Sequence, residues 1–170
     1  MSCQNVIHLR IFKMTKLNFS CWTKWDNRIL QLDNLQYPGI YALQISNKNL
    51  EGHPFVWAKG IKYFGMTISK PGLKGRLNQF NISLRDKKGG GHGGAERFRN
   101  DYKDGERLAK ILYVAVCPFK RQGNNTTAKN LLVHGNVVRA EYTALAEYFK
   151  IFSELPKYNN PSSKKLSRIK

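Results

Sequence analysis

Two short blocks of this chain each set an aromatic hydroxyl beside a glycine: GIY at residues 39–41 and YFG at residues 63–65. A phenol donates and accepts a hydrogen bond and titrates near pH 10, so a pair of phenols can hold a polar ligand or a water and share its protons. Further along, Arg76 lies within a run of helical periodicity, and Glu141 lies among apolar residues on a second such run. Two phenols, a permanently charged guanidinium and a carboxylate on an apolar stripe make a polar constellation, provided the fold brings them together.

The elements that must do this are readable from pattern. GIYALQIS is rich in strand formers, SNKNLEGHP has the Asn, Gly and Pro of a hairpin loop, and IKYFGMT returns as the partner strand. Antiparallel pairing then brings Tyr41 and Tyr63 near one another. After Pro71 and Gly72, the residues Leu73, Arg76, Leu77, Phe80 and Leu84 recur at three- and four-residue spacing, which predicts a helix. KKGGGHGG ends it as a flexible loop, AERFRNDY reads as a short helix, and KILYVAVCPF is the strongest strand in the chain. N-cap chemistry at residues 124–127 starts a helix through Leu132, and NVVRAEYTALAEYFKIFSEL predicts a second, stronger one that stops before Pro156. On it Val138, Glu141, Leu145, Tyr148 and Phe152 share a face.

With 170 residues the chain holds one domain: an N-terminal arm (1–37), a central domain (38–160) carrying an insertion (86–107), and a basic tail (161–170). Lys and Arg number 29 against 11 Asp and Glu, a net charge of +18, while 41% of residues are hydrophobic. That combination predicts a folded protein that meets a polyanion, with nucleic acid as the partner. The apolar run in NVIHLRIF is interrupted by His8 and Arg10, which makes neither a secretory nor a membrane segment, so a cytoplasmic protein without a membrane partner is expected. Cys3, Cys21 and Cys117 are odd in number and widely spaced, which disfavours a disulfide framework and a zinc site.

Taken in order, these residues resemble the GIY-YIG nucleases over roughly 120 residues, from Gly39 to Asn160, the span of one small domain. GIY matches the first block, YFG stands for the second with Phe64 in place of isoleucine, GLKGRLNQF looks like the arginine-bearing helix, RAEYTALAEYF like the glutamate-bearing helix, and LPKYN like the terminal element. The resemblance implies an α/β (α+β) fold, a three-stranded antiparallel sheet flanked by helices, and hydrolysis of phosphodiesters. Tyr41 and Tyr63 would hold or deprotonate the attacking water, with a neighbouring cation lowering the phenol pKa. Arg76 would fork onto the scissile phosphate, and the glycines would let the DNA backbone come close. Glu141 would carry Mg²⁺, with Glu147 as the alternative ligand because of its distance from PKYN; the terminal asparagine is Asn159 or Asn160. Met66 stands where many repair members carry a lysine, which turns attention to Lys70 and Lys74 for that charge. GGGHGGAERFRNDY resembles an insertion of restriction-type members, where His92 would assist the nucleophile and Arg97 and Arg99 would contact DNA. Size and insertion are most similar to type II restriction endonucleases, which implies a homodimer on a short palindrome of double-stranded DNA, with sequence choice in the arm, the insertion and the tail. A repair-like or nonspecific nuclease and a non-catalytic basic nucleic-acid-binding protein are the alternatives.

Overall fold

Residues 16–85 and 91–160 are described in the computed structural model of the chain. NVIHLRIF and Cys3, residues 86–90 of the glycine-rich insertion, and the basic tail 161–170 lie outside the described residues. Trp22 leads into a two-residue strand, β1 (Thr23–Lys24), followed by a 3-10 turn (Trp25–Asn27) and a single helical turn, α1 (Arg28–Gln31). Trp25 is fully buried and its indole Nε1 donates to Asn81 Oδ1 at 2.9 Å, while the Arg28 guanidinium lies 4.4 Å over its ring. The described part of the arm is thus joined to the core by an aromatic anchor whose polar tip is satisfied.

The GIY and YFG blocks fall on β2 (Gly39–Ile45) and β3 (Ile61–Thr67), and the long apolar run on β4 (Leu112–Pro118). These are antiparallel with β1 in the order β1-β4-β2-β3. The sheet therefore has four strands where three were expected. Thr23 and Lys24 pair with Val114 and Tyr113, and two residues flanked by tryptophan carry no readable alternation. The fold is mixed α+β.

Helices cover both faces, as the apolar makeup of β2 demands: six of its seven residues are buried. On one face, Tyr41, Leu43, Val114 and Val116 pack with Leu73, Leu77, Phe80 and Leu84 of α2 (Gly72–Arg85), Phe98 of α3 (Gly93–Tyr102) and Leu108 of α4 (Gly105–Ile111). On the other, Ile40, Ala42, Phe64 and Ala115 receive Val137, Ala140, Ala144 and Tyr148 of α5 (Ala128–Phe152).

α5 is one continuous helix of 25 residues, where two were expected. Thr127 caps it, its hydroxyl accepting from Asn130 N at 3.1 Å, and Gly135 is carried through the interior with open space around it. A glycine costs about 1 kcal/mol relative to alanine in a helix, which the packing of Asn130 and Val137 on either side of it outweighs. The buried stripe is Val137, Ala140, Ala144 and Tyr148; Val138, Leu145 and Phe152 sit half-buried at its margin, as does Glu141. The outer edge of β3 is closed by the chain terminus of the domain. Asn159 donates to Phe64 O and accepts from Phe64 N, both at 2.8 Å, and Tyr158 N donates to Lys62 O at 2.9 Å. An amide that mimics a strand's pairing thus covers the edge at Lys62 and Phe64. Among the described residues no helix is long and apolar enough to cross a membrane.

Candidate active site

Register explains why each block pairs its tyrosine with a glycine. Tyr41 on β2 stands directly opposite Gly65 on β3, and Leu43 opposite Tyr63, so the two phenols project from the same face one diagonal step apart. Their ring centroids are 6.0 Å apart. A Cβ on Gly65 would lie 2.5 Å from the Tyr41 hydroxyl and 2.7 Å from the Tyr63 ring, and one on Gly39 would meet Cys117 O at 2.5 Å. The glycines were expected to admit a DNA backbone; they make room for the protein's own side chains and strands. Gly65→Ala is therefore expected to destabilise the fold by about 1–3 kcal/mol, the usual cost of overpacking a filled core. A lowered urea midpoint with unchanged m-value would register it.

Tyr41 is fully buried, beneath Tyr63, which is half-buried. Its hydroxyl lies 3.3 Å from Nε2 of His92. His92 is not in a mobile loop but is 1% exposed, and it caps α3: its Nδ1 accepts from Gly94 N at 3.2 Å and Ala95 N at 3.4 Å. Its own N–H is held by Ser83 Oγ at 3.1 Å, and Phe80 packs edge-on at 4.8 Å. With Nδ1 accepting, the proton of the neutral ring belongs on Nε2, so His92 donates to the Tyr41 oxygen and leaves the phenol proton for another acceptor. A His92 so held orients Tyr41 and does not deprotonate it.

Burial, aided by the charge of Arg76, pushes the His92 imidazole down to about 4 from its ordinary 6.5. A depressed folded-state pKa means that below about 6.5 the unfolded chain takes up a proton that the native ring refuses. Stability should therefore fall as pH drops from 6.5 to 4, by about 3 kcal/mol for this residue. His92→Asn keeps an acceptor for the cap and removes the titration, so its urea midpoint should change less over that window than the wild type's.

Arg76 of α2 and Glu141 of α5 complete the cluster, and their charges are felt at both phenols. Burial raises Tyr41 well above its ordinary value, with the nearby Tyr63 adding to it and Arg76 opposing. Burial also raises Tyr63, reinforced by the charge of Glu141 and countered by Arg76 and Arg97. The cations thus restrain a rise and do not bring either phenol toward neutrality. At neutral pH both are protonated, hydrogen-bonding groups. Burial raises the Glu141 carboxyl too, with Arg76 pulling it back. Arg76 Nη1 donates to Gln79 Oε1 at 3.0 Å, while its Nε is buried with no hydrogen-bond partner. An orphaned guanidinium N–H beside two phenols is a place for an anionic oxygen.

Glu147 also lies on α5, half-buried, while the carboxylate charge felt at both tyrosines is that of Glu141. Lys70 and Lys74 stand exposed at the start of α2. Arg97 donates to the carbonyl of Tyr158, and Arg99 Nη1 to that of Ser83 at 3.4 Å, so both brace the insertion against the domain. Of the two terminal asparagines, Asn159 is the one pinned to β3. Ser83 and Gly94 escaped the sequence reading: Gly94 leaves 3.0 Å between its absent Cβ and the Tyr63 hydroxyl. The only hint of Ser83 was a small polar residue on the buried side of α2, between Phe80 and Leu84. Among the described residues no three or more His, Cys, Asp or Glu side chains come together to hold a metal ion. A divalent cation at Glu141 would have few protein ligands and keep several waters, a mode that Mg²⁺, a hard ion that dehydrates reluctantly, accepts. Comparison with protein-family models, with curated proteins and with solved structures returned no match for this chain.

Proposed function

We propose that this protein is a Mg²⁺-dependent endonuclease of the GIY-YIG kind that cuts double-stranded DNA at a short palindromic site, as a cytoplasmic homodimer acting like a type II restriction enzyme. The observation that carries the reading is the convergence, from β2, β3, α2 and α5, of two phenols, an arginine with an orphaned buried Nε and a desolvated carboxylate, in a chain of charge +18. A dimer follows from the substrate: a duplex has two strands to cut, and a two-fold protein sets one centre on each.

Arg76 binds the scissile phosphate through its fork, where its charge is worth most as negative charge builds on the phosphoryl oxygens. The hydroxyl of Tyr63, the more accessible phenol, orients the attacking water, and Tyr41, fixed by His92, supports it from beneath. Glu141 supplies the anionic anchor for the cation. When bound, Mg²⁺ adds charge neutralisation and acidifies water.

Purified protein incubated with plasmid and Mg²⁺ should give linear product at fixed positions, with little nicked intermediate at saturating enzyme. Random nicking would leave a nonspecific or repair-like nuclease, and duplex binding without any Mg²⁺-dependent cutting would leave a non-catalytic binder. Duplex affinity should fall by on the order of a thousandfold or more between 50 and 200 mM salt if six or more phosphates are neutralised. Fluorescence anisotropy measures this.

A further inference from the structure

Sequence choice was expected in the arm, the insertion and the tail; among the described residues a preorganised polar surface also lies in the connection between β4 and α5. Residues 119–127, FKRQGNNTT, contain no acidic side chain, and residues 122–127 are all exposed. Exposed loops of this length ordinarily keep their freedom; this one is tied from inside. Asn130 is 2% exposed, and its Nδ2 donates to Gln122 O and Asn125 O at 2.8 Å each, while its Oδ1 accepts from Gln122 N at 3.3 Å. At the base, Arg121 Nη2 donates to Lys70 O at 2.9 Å and to Asn124 Oδ1 at 2.8 Å, and its Nη1 lies 3.5 Å from His134 Nε2.

These ties join the loop to the two elements that carry Arg76 and Glu141. Lys70 immediately precedes the turn into α2, which carries Arg76. His134 stands seven residues before Glu141 on the same side of α5, about 10 Å along the helix axis. With the scissile phosphate at Glu141 and the duplex running along α5, at about 3.4 Å per nucleotide step that spacing would correspond to roughly three base pairs.

Resting on the nuclease reading, we infer that residues 119–127 form the base-reading element, presented to the major groove of duplex DNA about three base pairs from the cut. The chemistry fits that groove. Asn and Gln amides pair two-pronged with adenine N6 and N7, and threonine offers a hydroxyl and a methyl for either partner of the pair. Arg121 is occupied as a brace, so the reading falls to Gln122, Asn124, Asn125 and Thr126, with Lys120 on the phosphates. Bracing by Asn130 removes much of the ordering cost that a free loop would incur on binding.

The test uses the full chain and a randomised duplex library. One arm sequences the ends cut in Mg²⁺, and the other sequences duplexes retained on the protein in EDTA, where nothing is cut. The wild type should enrich one motif in both arms. In Gln122→Ala/Asn125→Ala, of unchanged melting temperature, preference at one or two positions about three base pairs from the cut should relax by about 10- to 100-fold. Its affinity for bulk duplex should stay within about twofold. Lys120→Ala should instead lower the salt slope by about one unit and keep the motif. An unchanged motif in the double variant, or no motif from the wild type in the retained pool, overturns the inference. Absence of cutting with a retained, variant-sensitive motif overturns only the nuclease reading.

Discussion

Arg76→Ala is expected to slow single-turnover cleavage by about 10²–10³-fold, the usual consequence of deleting a donor aimed at developing charge. Two structural facts make this position more than a local cation. Its Nε is buried without a partner, so that N–H stays unanswered until an acceptor oxygen arrives. Its charge also holds down both Glu141 and His92, so its removal lets the carboxyl rise further and weakens the anchor for the cation at neutral pH. Loss of the phosphate fork and a carboxyl raised further then act together, and the pH profile of the variant should move to higher pH. Arg76→Lys restores a charge but not the fork, and should recover the pH profile more than the rate. Full activity in the lysine variant would show that charge alone is wanted there.

The local periodicities that fixed α2, β2, β3 and β4 were legible because each is a run of at least seven residues with a buried face. What escaped was structure that depends on partners far away in the chain. β1 is a strand only because Val114 and Tyr113 lie beside it. α5 runs through Gly135 because it is packed on both sides of the weak point, something a glycine in a sequence hides. The same holds at the site. That Tyr41 and Tyr63 share a face follows from antiparallel pairing, and the register then makes Gly65 the cavity for Tyr41. The burial of His92 could not be seen in a run of glycines: it rests on Ser83, Phe80 and the start of α3, and it turns an apparent loop residue into a cap and a donor. Nor does a residue's type announce how far burial shifts it. A cation near a phenol suggested a lowered pKa, whereas removal from water outweighs Arg76 at both tyrosines.

The second large effect is expected at Glu141, in two opposite directions. Glu141→Gln should cut Mg²⁺-dependent cleavage by at least about a hundredfold, since even groups that merely support a metal ligand are worth 10–100-fold and this one would be the ligand itself. It should also make the protein more stable. Burial raises the Glu141 carboxyl above its ordinary value, so the unfolded chain releases that proton at lower pH than the native one does. By linkage, stability is lost as pH rises from the unfolded value through the raised one, and the ionised carboxylate is a standing cost at neutral pH. Glutamine keeps the shape and never ionises. Its melting temperature at pH 7 should exceed the wild type's by about one to a few degrees in EDTA. Mg²⁺ should narrow the gap by stabilising the wild type alone, because a ligand that binds only the native state adds to its stability. Differential scanning calorimetry at pH 7, with and without the ion, separates the two effects. A glutamine variant less stable than the wild type in EDTA would mean that Glu141 is held by a favourable partner and is not poised for a cation. Equal Mg²⁺ responses in the two proteins would move the cation elsewhere, with Glu147→Gln as the next variant to melt.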